Sequence, residues 1–529
     1  MDHYHSPGTC RVLVMLLLLA GCQGSTEPPP SPSSPVPTAS SSNPPADLEQ
    51  RIQQFCGATC HAYPPPDTFP REHWRMEVER AYGFFERSGL AITPPRMADV
   101  IRYYQERAPE QLPPLAVTYA REPLPIRWER LLIPRVEGGR AMISHVQAVK
   151  LPRGPSTPEQ RAAAPTELLV CDMQGGRILL YRPSEPQSPW QLLATVRNPA
   201  RATVIDLDGD QILDLLVADL GSFPPTDHRC GRVVWLRGQA DGTFQPYTLL
   251  ENVGRVADVR AAPFRQSDRL DLIVAVFGLH EVGEVLLLEN HTSDWSQPRF
   301  VPRQLDRRTG AIHVPIADLD GDGRPDFVTV FAQEHETIVA FLNEGNGQFR
   351  KKTLYSAPHP GWGSSGIELV DLNGDGRLDI LYTNGDILDE PYLWKPYHGL
   401  GWLENLSDPE NPGDLRFRYH RIANMYGVHH AVAGPICGGP LPDILAVSFL
   451  PADKFRDRQQ KQADAVVLFR QTAPGQFERH VLLQSDCDAV SCCLADLTGQ
   501  GHLDLIVGNY SHPHNQQPLW IWRQVGPDR

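Results

Sequence analysis

The chain has no run of lysine and arginine longer than the three residues Arg350-Lys351-Lys352. Its 49 basic residues are outnumbered by 63 acidic ones, which leaves a net charge of -14. Nonspecific nucleic-acid binding needs basic surface to displace counterions, so no nucleic-acid partner is expected. There is also no Ser/His/Asp arrangement, no phosphate-cradling glycine loop and no HExxH. Hydrolase and kinase readings therefore have no positive support, and whether the chain is an enzyme stays open. The apolar run "VLVMLLLLA" near the start is too short to cross a bilayer as a stable helix. Proline and glycine, by contrast, are abundant, at 51 and 42 of 529 residues. That length exceeds one ordinary core and suggests roughly three domains, unless a repeat uses it differently.

Arg11 precedes the apolar run, and Leu19-Ala20-Gly21-Cys22 follows it. This order resembles the bacterial lipobox, which implies a leader over residues 1–22 and lipid attached to Cys22; the alternative is an ordinary signal peptide with a chance cysteine. The implied location is exported: periplasmic, or on the outer membrane or cell surface, with the membrane reached through lipid at Cys22. Residues 23–46 are a Pro/Ser-rich spacer that cannot bury a core. Outside the cytoplasm, cysteines can be oxidised or linked to haem.

From Ile143 onward one unit recurs about every 50 to 60 residues. It opens with an apolar strand, an acidic loop and a second apolar strand, as in "VIDLDGDQILDLLVADL" at Val204, "IADLDGDGRPDFVTVF" at Ile316, "LVDLNGDGRLDILYTNGD" at Leu369 and "LADLTGQGHLDLIVGNY" at Leu494. Weaker copies at Glu167, Arg269 and Leu441 keep the second strand, which makes seven units. Each continues with a third apolar strand, and six close with an alternating strand beginning at Trp190, Phe244, Phe300, Phe349, Phe417 or Phe477. The last unit lacks its closing strand, while "IRWERLLIP", Ile126 to Pro134, alternates in the same way without a unit of its own. The expected fold is mainly β: a seven-bladed β-propeller over residues 113–529, closed by this early strand lying beside Leu519 to Trp522. An open solenoid is the alternative.

The loops have metal-ligand spacing. Asp318, Asp320, Asp322 and Asp326 occupy positions 1, 3, 5 and 9 of one turn, with Gly323 at position 6 and the Arg324 carbonyl at 7. Asp371, Asn373, Asp375 and Asp379 repeat this with the Arg377 carbonyl, and Asp206, Asp208, Asp210 and Asp214 do so with Gln211 where glycine belongs. Ca²⁺ takes six to eight oxygens at about 2.3–2.6 Å, so a structural calcium is expected, least strongly in the Gln211 loop. In the last unit Thr498 and Gln500 replace the middle acids, and that loop should be empty. The alternative is a set of solvated turns in which Asp favours the bend. These loops, with "NEGNGQF" at Asn343 and "GQADGTF" at Gly238, resemble the FG-GAP or VCBS family of integrin-like propellers. The resemblance covers roughly Ile126 to Arg529 and implies the fold and calcium, while function varies among such proteins.

Counting five residues back from the first loop position gives one residue per unit at the start of the innermost strand: His145, Arg201, Arg255, His313, Gly366, His430 and Ser491. Such a ring suits a water-filled channel or, alternatively, an anion, metal or partner site on the axis, with His145, His313 and His430 as metal ligands of an oxidoreductase in the second case. Insertions in one unit make Lys395, Tyr397, His398 and His429 recognition candidates for a protein or carbohydrate partner; the alternative is a Tyr/His-rich loop that packs over a blade. The protein is expected to be monomeric.

Residues 47–112 look all-helical, with segments in "DLEQRIQQFC", "REHWRMEVERAYGFFERSG" and "MADVIRYYQERAP". Cys56, Cys60 and His61 form a Cys-x-x-x-Cys-His motif, one residue longer than the usual haem-attachment spacing. The segment resembles the small c-type cytochrome domains found ahead of some exported propellers. The resemblance implies haem c joined to Cys56 and Cys60, His61 on the iron, and Met76 or Met97 (or His73) as the distal ligand, in an electron-transfer role. A Cys56–Cys60 disulfide, or a relic domain without cofactor, is the alternative. Elsewhere, Cys487 has Cys492 or Cys493 as a possible disulfide partner.

Overall fold

A computed structural model describes residues 46–57, 62–137, 139–185, 189–265, 269–388, 392–408, 410–411, 413–510 and 517–525. Cys22, Cys60 and His61 lie outside them. From Pro45 onward the chain forms one compact unit.

Each repeat folds into one four-stranded antiparallel sheet, and seven such sheets make the propeller. The second strands are Glu167–Asp172, Asp214–Asp219, Asp271–Val276, Asp326–Phe331, Asp379–Asn384, Asp443–Ser448 and Asp504–Asn509, and every residue in them is buried. Period-2 alternation in these strands serves two interfaces at once. In the third blade, Leu272, Val274 and Val276 pack towards the second blade with Leu216 and Trp235, while Ile273 and Ala275 pack towards the fourth with Phe327 and Phe341. Seven such clusters fill the seven seams between blades. A fully buried aliphatic side chain contributes roughly 1.5–3 kcal/mol, so the seams, rather than single sheets, hold the ring.

The seventh sheet takes its outer strand from the front of the propeller. Arg127–Leu131 pairs antiparallel with Leu519–Val525, from Arg127 opposite Val525 to Leu131 opposite Ile521. Ile133 and Val136 then enter the seam between the last and first blades with Leu519 and Ile521. Arg130 lies over the Trp520 and Trp522 rings. The expected closure is therefore present, and the alternative of an open solenoid is excluded.

Among the described residues three α-helices precede the ring: α1 (Ala46–Gly57), α2 (Trp74–Ser88) and α3 (Met97–Arg107). Their apolar stripes meet in a small core of Ile52, Trp74, Val78, Tyr82, Val100, Ile101 and Tyr104. Trp74 stacks on Tyr104 with ring centroids 3.8 Å apart. The expected Cys487 disulfide is not formed, since Cys487, Cys492 and Cys493 are all free.

Up-and-down blades sort their loops by face. Loops joining first to second strands, where the acids lie, share a face with the hairpins joining third to fourth strands. The second-to-third loops and the connections between blades lie on the opposite face. The helices dock on that opposite face: Phe84 packs on His280, Arg87 pairs with Glu281, and Leu393 joins the helical core. A Cβ on Gly361 would meet Phe69 Cζ at 2.8 Å, so only glycine admits that ring. Tyr397 donates to the Thr68 carbonyl at 3.5 Å.

Candidate functional site

In the acidic loops the carboxylates have separable tasks. Asp318 Oδ1 accepts the N–H of Gly321 at 2.8 Å and of Asp322 at 3.1 Å, and Oδ2 that of Gly323 at 2.9 Å. Asp371 closes its turn in the same way onto Gly374, Asp375 and Gly376. So does Asp496 onto Gly499, Gln500 and Gly501, although its loop lacks the middle acids. The first position therefore shapes the turn in each case.

The ninth position is a staple. Asp326 has no exposed surface and accepts the N–H of Leu319 at 3.0 Å and of Asn343 at 2.7 Å, tying the loop to the third strand. Asp214 and Asp379 make the equivalent pairs. Asp443 also does so, onto Cys437 at 2.7 Å and Gln471 at 2.8 Å, in a blade without an acidic loop. Arg324 and Arg377 add a rivet by donating Nε to the carbonyls of Asn343 and Asn405.

In the Asp318 loop position 3 is what remains for a cation beside the oxygens of positions 1 and 9, because Asp322 at position 5 is paired with Arg324. Asp318, Asp320 and Asp326 present oxygens within 4.8 Å of one another, as do Asp206, Asp208 and Asp210. Burial, with Asp320 and Asp322 adding charge, pushes the Asp326 carboxyl up to about 7, a repulsion that a cation would relieve. In the Gln211 loop arginines already supply positive charge: Arg237 sits 2.6 Å from Asp208 and 3.2 Å from Asp210, and Arg161 3.3 Å from Asp206. Gln211 itself is held at φ 69, where Gly323 stands at φ 82. Around Asp371, the Asn373 amide donates to Asp375 at 2.9 Å and Arg377 pairs with the same carboxylate. Among the described residues no third acidic group converges there.

The axial ring forms with one correction. Strand pairing places His145 opposite Cys171, Arg201 opposite Ala218, Gly366 opposite Thr383, His430 opposite Val447 and Ser491 opposite Gly508, each just after a bulge. In the third blade the same place, opposite Ala275, belongs to Asp258 and not to Arg255. Arg255 precedes that strand, is buried, and lies near the Phe277 ring. The third blade lacks the loop from which the count began, so the count slipped. Counting from the buried acid that opens the second strand avoids the error: Asp258 lies thirteen residues before Asp271, as Arg201 does before Asp214 and His430 before Asp443.

Ring side chains stitch four of the seven seams between blades. Backbone N–H groups beside the bulges donate across the seams: Val314 to Asp258 at 3.2 Å, Ile367 to His313 Nδ1 at 3.3 Å, Cys492 to His430 Nδ1 at 3.3 Å and Val146 to Ser491 at 3.0 Å. Burial pushes His313 well below the imidazole range and His430 to about 3, so both are neutral. A neutral imidazole whose Nδ1 accepts carries its proton on Nε2 and presents a donor there. His313 and His430 thus lack the free lone pair that the metal-ligand alternative requires.

The inserted residues gather beneath the helices. Lys395, His398 and His359 are buried, and Tyr397 packs edge-on against His359 with centroids 4.6 Å apart. His398 Nε2 and His359 Nδ1 have no hydrogen-bond partner. Glu336, absent from the sequence reading, accepts the N–H groups of Gly363 and Ser364, both at 2.9 Å, and burial pushes it up to about 8. His429 is held to about 4 by burial, and its carbonyl accepts from Thr383.

Of the haem motif, Cys56 is described. Its thiol faces Tyr104, and burial raises it to about 11. The interior beside it is filled by Phe55, Trp74, Tyr82 and Tyr104 in ring contact, which does not fit a macrocycle in that position. Met76 is 36% exposed on α2, whereas Met97 packs against the helical core.

Residues 318–382 match the family model described as an FG-GAP-like repeat. The match runs from Asp318, the first acid of the fourth blade's loop, into the second strand of the fifth blade. Both loops with glycine at position 6 and acids at 1, 5 and 9 fall within it. No curated protein matches the chain.

Proposed function

We propose that the protein is a binding or scaffold propeller whose acidic face is clamped by calcium and whose other face is partly roofed by its own helices. The observation that carries this reading is the convergence of Asp318, Asp320 and Asp326 within 4.8 Å on a loop already closed by backbone hydrogen bonds. The cation would be structural, bridging the loop to the Asp326 staple, and the Asp206 and Asp371 loops would be weaker sites. The partner, a protein or a carbohydrate, would be met by the propeller, but not through Lys395 and His398, which are buried beneath the helical roof. Tethering by lipid at Cys22 and an exported location belong to the same proposal. Calcium-dependent melting tests the clamp: wild type should gain stability in calcium, and Asp320→Asn should not.

Electron transfer through haem c at Cys56, Cys60 and His61, with Met76 or Met97 completing the iron, is the second reading. The inward-facing Cys56 favours it, and the filled core beside Cys56 weighs against it. A haem stain on a denaturing gel of protein made with haem-maturation factors decides: a band lost in Cys60→Ala supports haem, and no band in wild type removes it.

A further inference from the structure

The inner strands place a second tier two residues beyond the ring: Gln147, Thr203, Arg260, Glu368 and Cys493. The two tiers have an unbalanced polar chemistry. Arg201 and Arg260 share one carboxylate, Asp258, at 3.4 Å and 3.1 Å. Asp258 has no exposed surface, and it also accepts the N–H groups of Val259 at 2.9 Å and Val314 at 3.2 Å. Among the described residues this 3.4 Å contact is the one hydrogen bond of the Arg201 guanidinium, which carries five donors. Glu368 does not restore the balance by contact: among the described residues it forms no ion pair with Arg201 or Arg260, its Oε2 has no hydrogen-bond partner, and burial pushes its carboxyl up against the opposing charge of Arg201.

Imidazoles add donors on the same axis. His313 and His430 have ring centroids 6.3 Å apart, each with Nδ1 spent on a backbone N–H and Nε2 left as the protonated nitrogen. His145 is 7% exposed, and its Nδ1 has no partner. After burial, the groups that depress His145 are Arg201, Arg260, His430 and His313, so side chains of four other blades act on its imidazole. Oxygen atoms of Gln147, Thr203 and Glu368 in the second tier are also unpartnered. A neutral water file would satisfy the lone pairs but not the surplus guanidinium charge.

We propose that the axis binds a small oxygen anion, an inorganic phosphate or a carboxylate, held by Arg201 with His145, His313 and His430 and repelled by Asp258. Anionic oxygen is the shared chemistry, since guanidinium and imidazole N–H groups pair with both. The inference is independent of the calcium clamp, which lies in the loops and not on the axis.

The test is isothermal titration of the full chain, calcium kept constant, with phosphate in one arm and acetate in the other. Saturable binding of at least one is expected, and which arm responds identifies the class. Arg201→Gln should weaken it at least tenfold. Asp258→Asn, which keeps an acceptor for the Val314 N–H while removing the competing charge, should tighten it severalfold. A purely structural role would give loss in both variants, so opposite shifts support the site. No saturable binding in wild type, or weakening in Asp258→Asn with its melting temperature unchanged, overturns it.

Discussion

The loops at Asp318–Asp326 and Asp496–Asp504 have nearly the same skeleton and different chemistry. In both, the first acid closes the turn onto three backbone N–H groups, and the ninth is buried and accepts an N–H of the third strand; Asp326 also accepts the loop's Leu319 N–H, whereas Asp504 Oδ2 has no partner. They differ at positions 3 and 5, where Asp320 and Asp322 face Thr498 and Gln500. The loop conformation therefore does not need a cation, and the middle acids are what a cation explains. Two tasks that one motif merges in sequence separate in the structure.

The largest effect that could break this comparison comes from the staples. Asp326→Ala should cost roughly 2–4 kcal/mol, because it leaves two buried backbone donors unpaired, and Asp504→Ala less, because it leaves one. Urea unfolding should show both losses, with or without calcium. A loss confined to Asp326→Ala would mean that the ninth acid matters mainly through the metal.

Next in size is the calcium response. At a hundredfold excess over its dissociation constant, calcium should add about 2.7 kcal/mol to wild type and far less to Asp320→Asn. Thr498→Asp with Gln500→Asp should confer a new calcium response on the last blade, read as a calcium-dependent rise in melting temperature absent from the parent.

A buried carboxylate with no acidic loop around it provides the control for pH. Glu336 is raised to about 8 in the folded protein, against an unfolded value near 4.3. Between those values the folded state holds the extra proton, so stability falls as pH rises from about 5 to 8, by at most ~1.4 kcal/mol per pH unit. Glu336→Gln should flatten that slope in urea titrations, whatever the calcium level.

The smallest effect tests the weakest loop. Gln211→Gly should relieve a left-handed backbone and stabilise the chain by about 1 kcal/mol. With Arg237 still beside Asp208 and Asp210, it should leave the calcium response nearly unchanged, and Arg237→Gln should increase it.

Much of this was legible in the residues. The strand alternation, the seven units and the orphan segment at Ile126 together specify a closed ring, because an apolar period of two with buried faces on both sides has few other ways to pack. The helices over 46–107 follow from their apolar stripes. What the sequence hid was long-range. Asp258 escaped because the third blade lost the loop from which positions were counted, although its thirteen-residue offset from Asp271 was available. Glu336 and His359 sit in connections with no motif, and they meet Lys395 and His398 only because the helices and two blades converge there. The tautomers of His313 and His430 depend on amide groups in the next blade, which no local pattern encodes.

The most direct measurement is equilibrium calcium titration of the full chain beside Asp320→Asn. The account predicts saturable binding of at least one ion in wild type, lost or strongly weakened in the variant while its calcium-free melting temperature is preserved. Absence of binding in wild type, or equal binding in the variant, would contradict it.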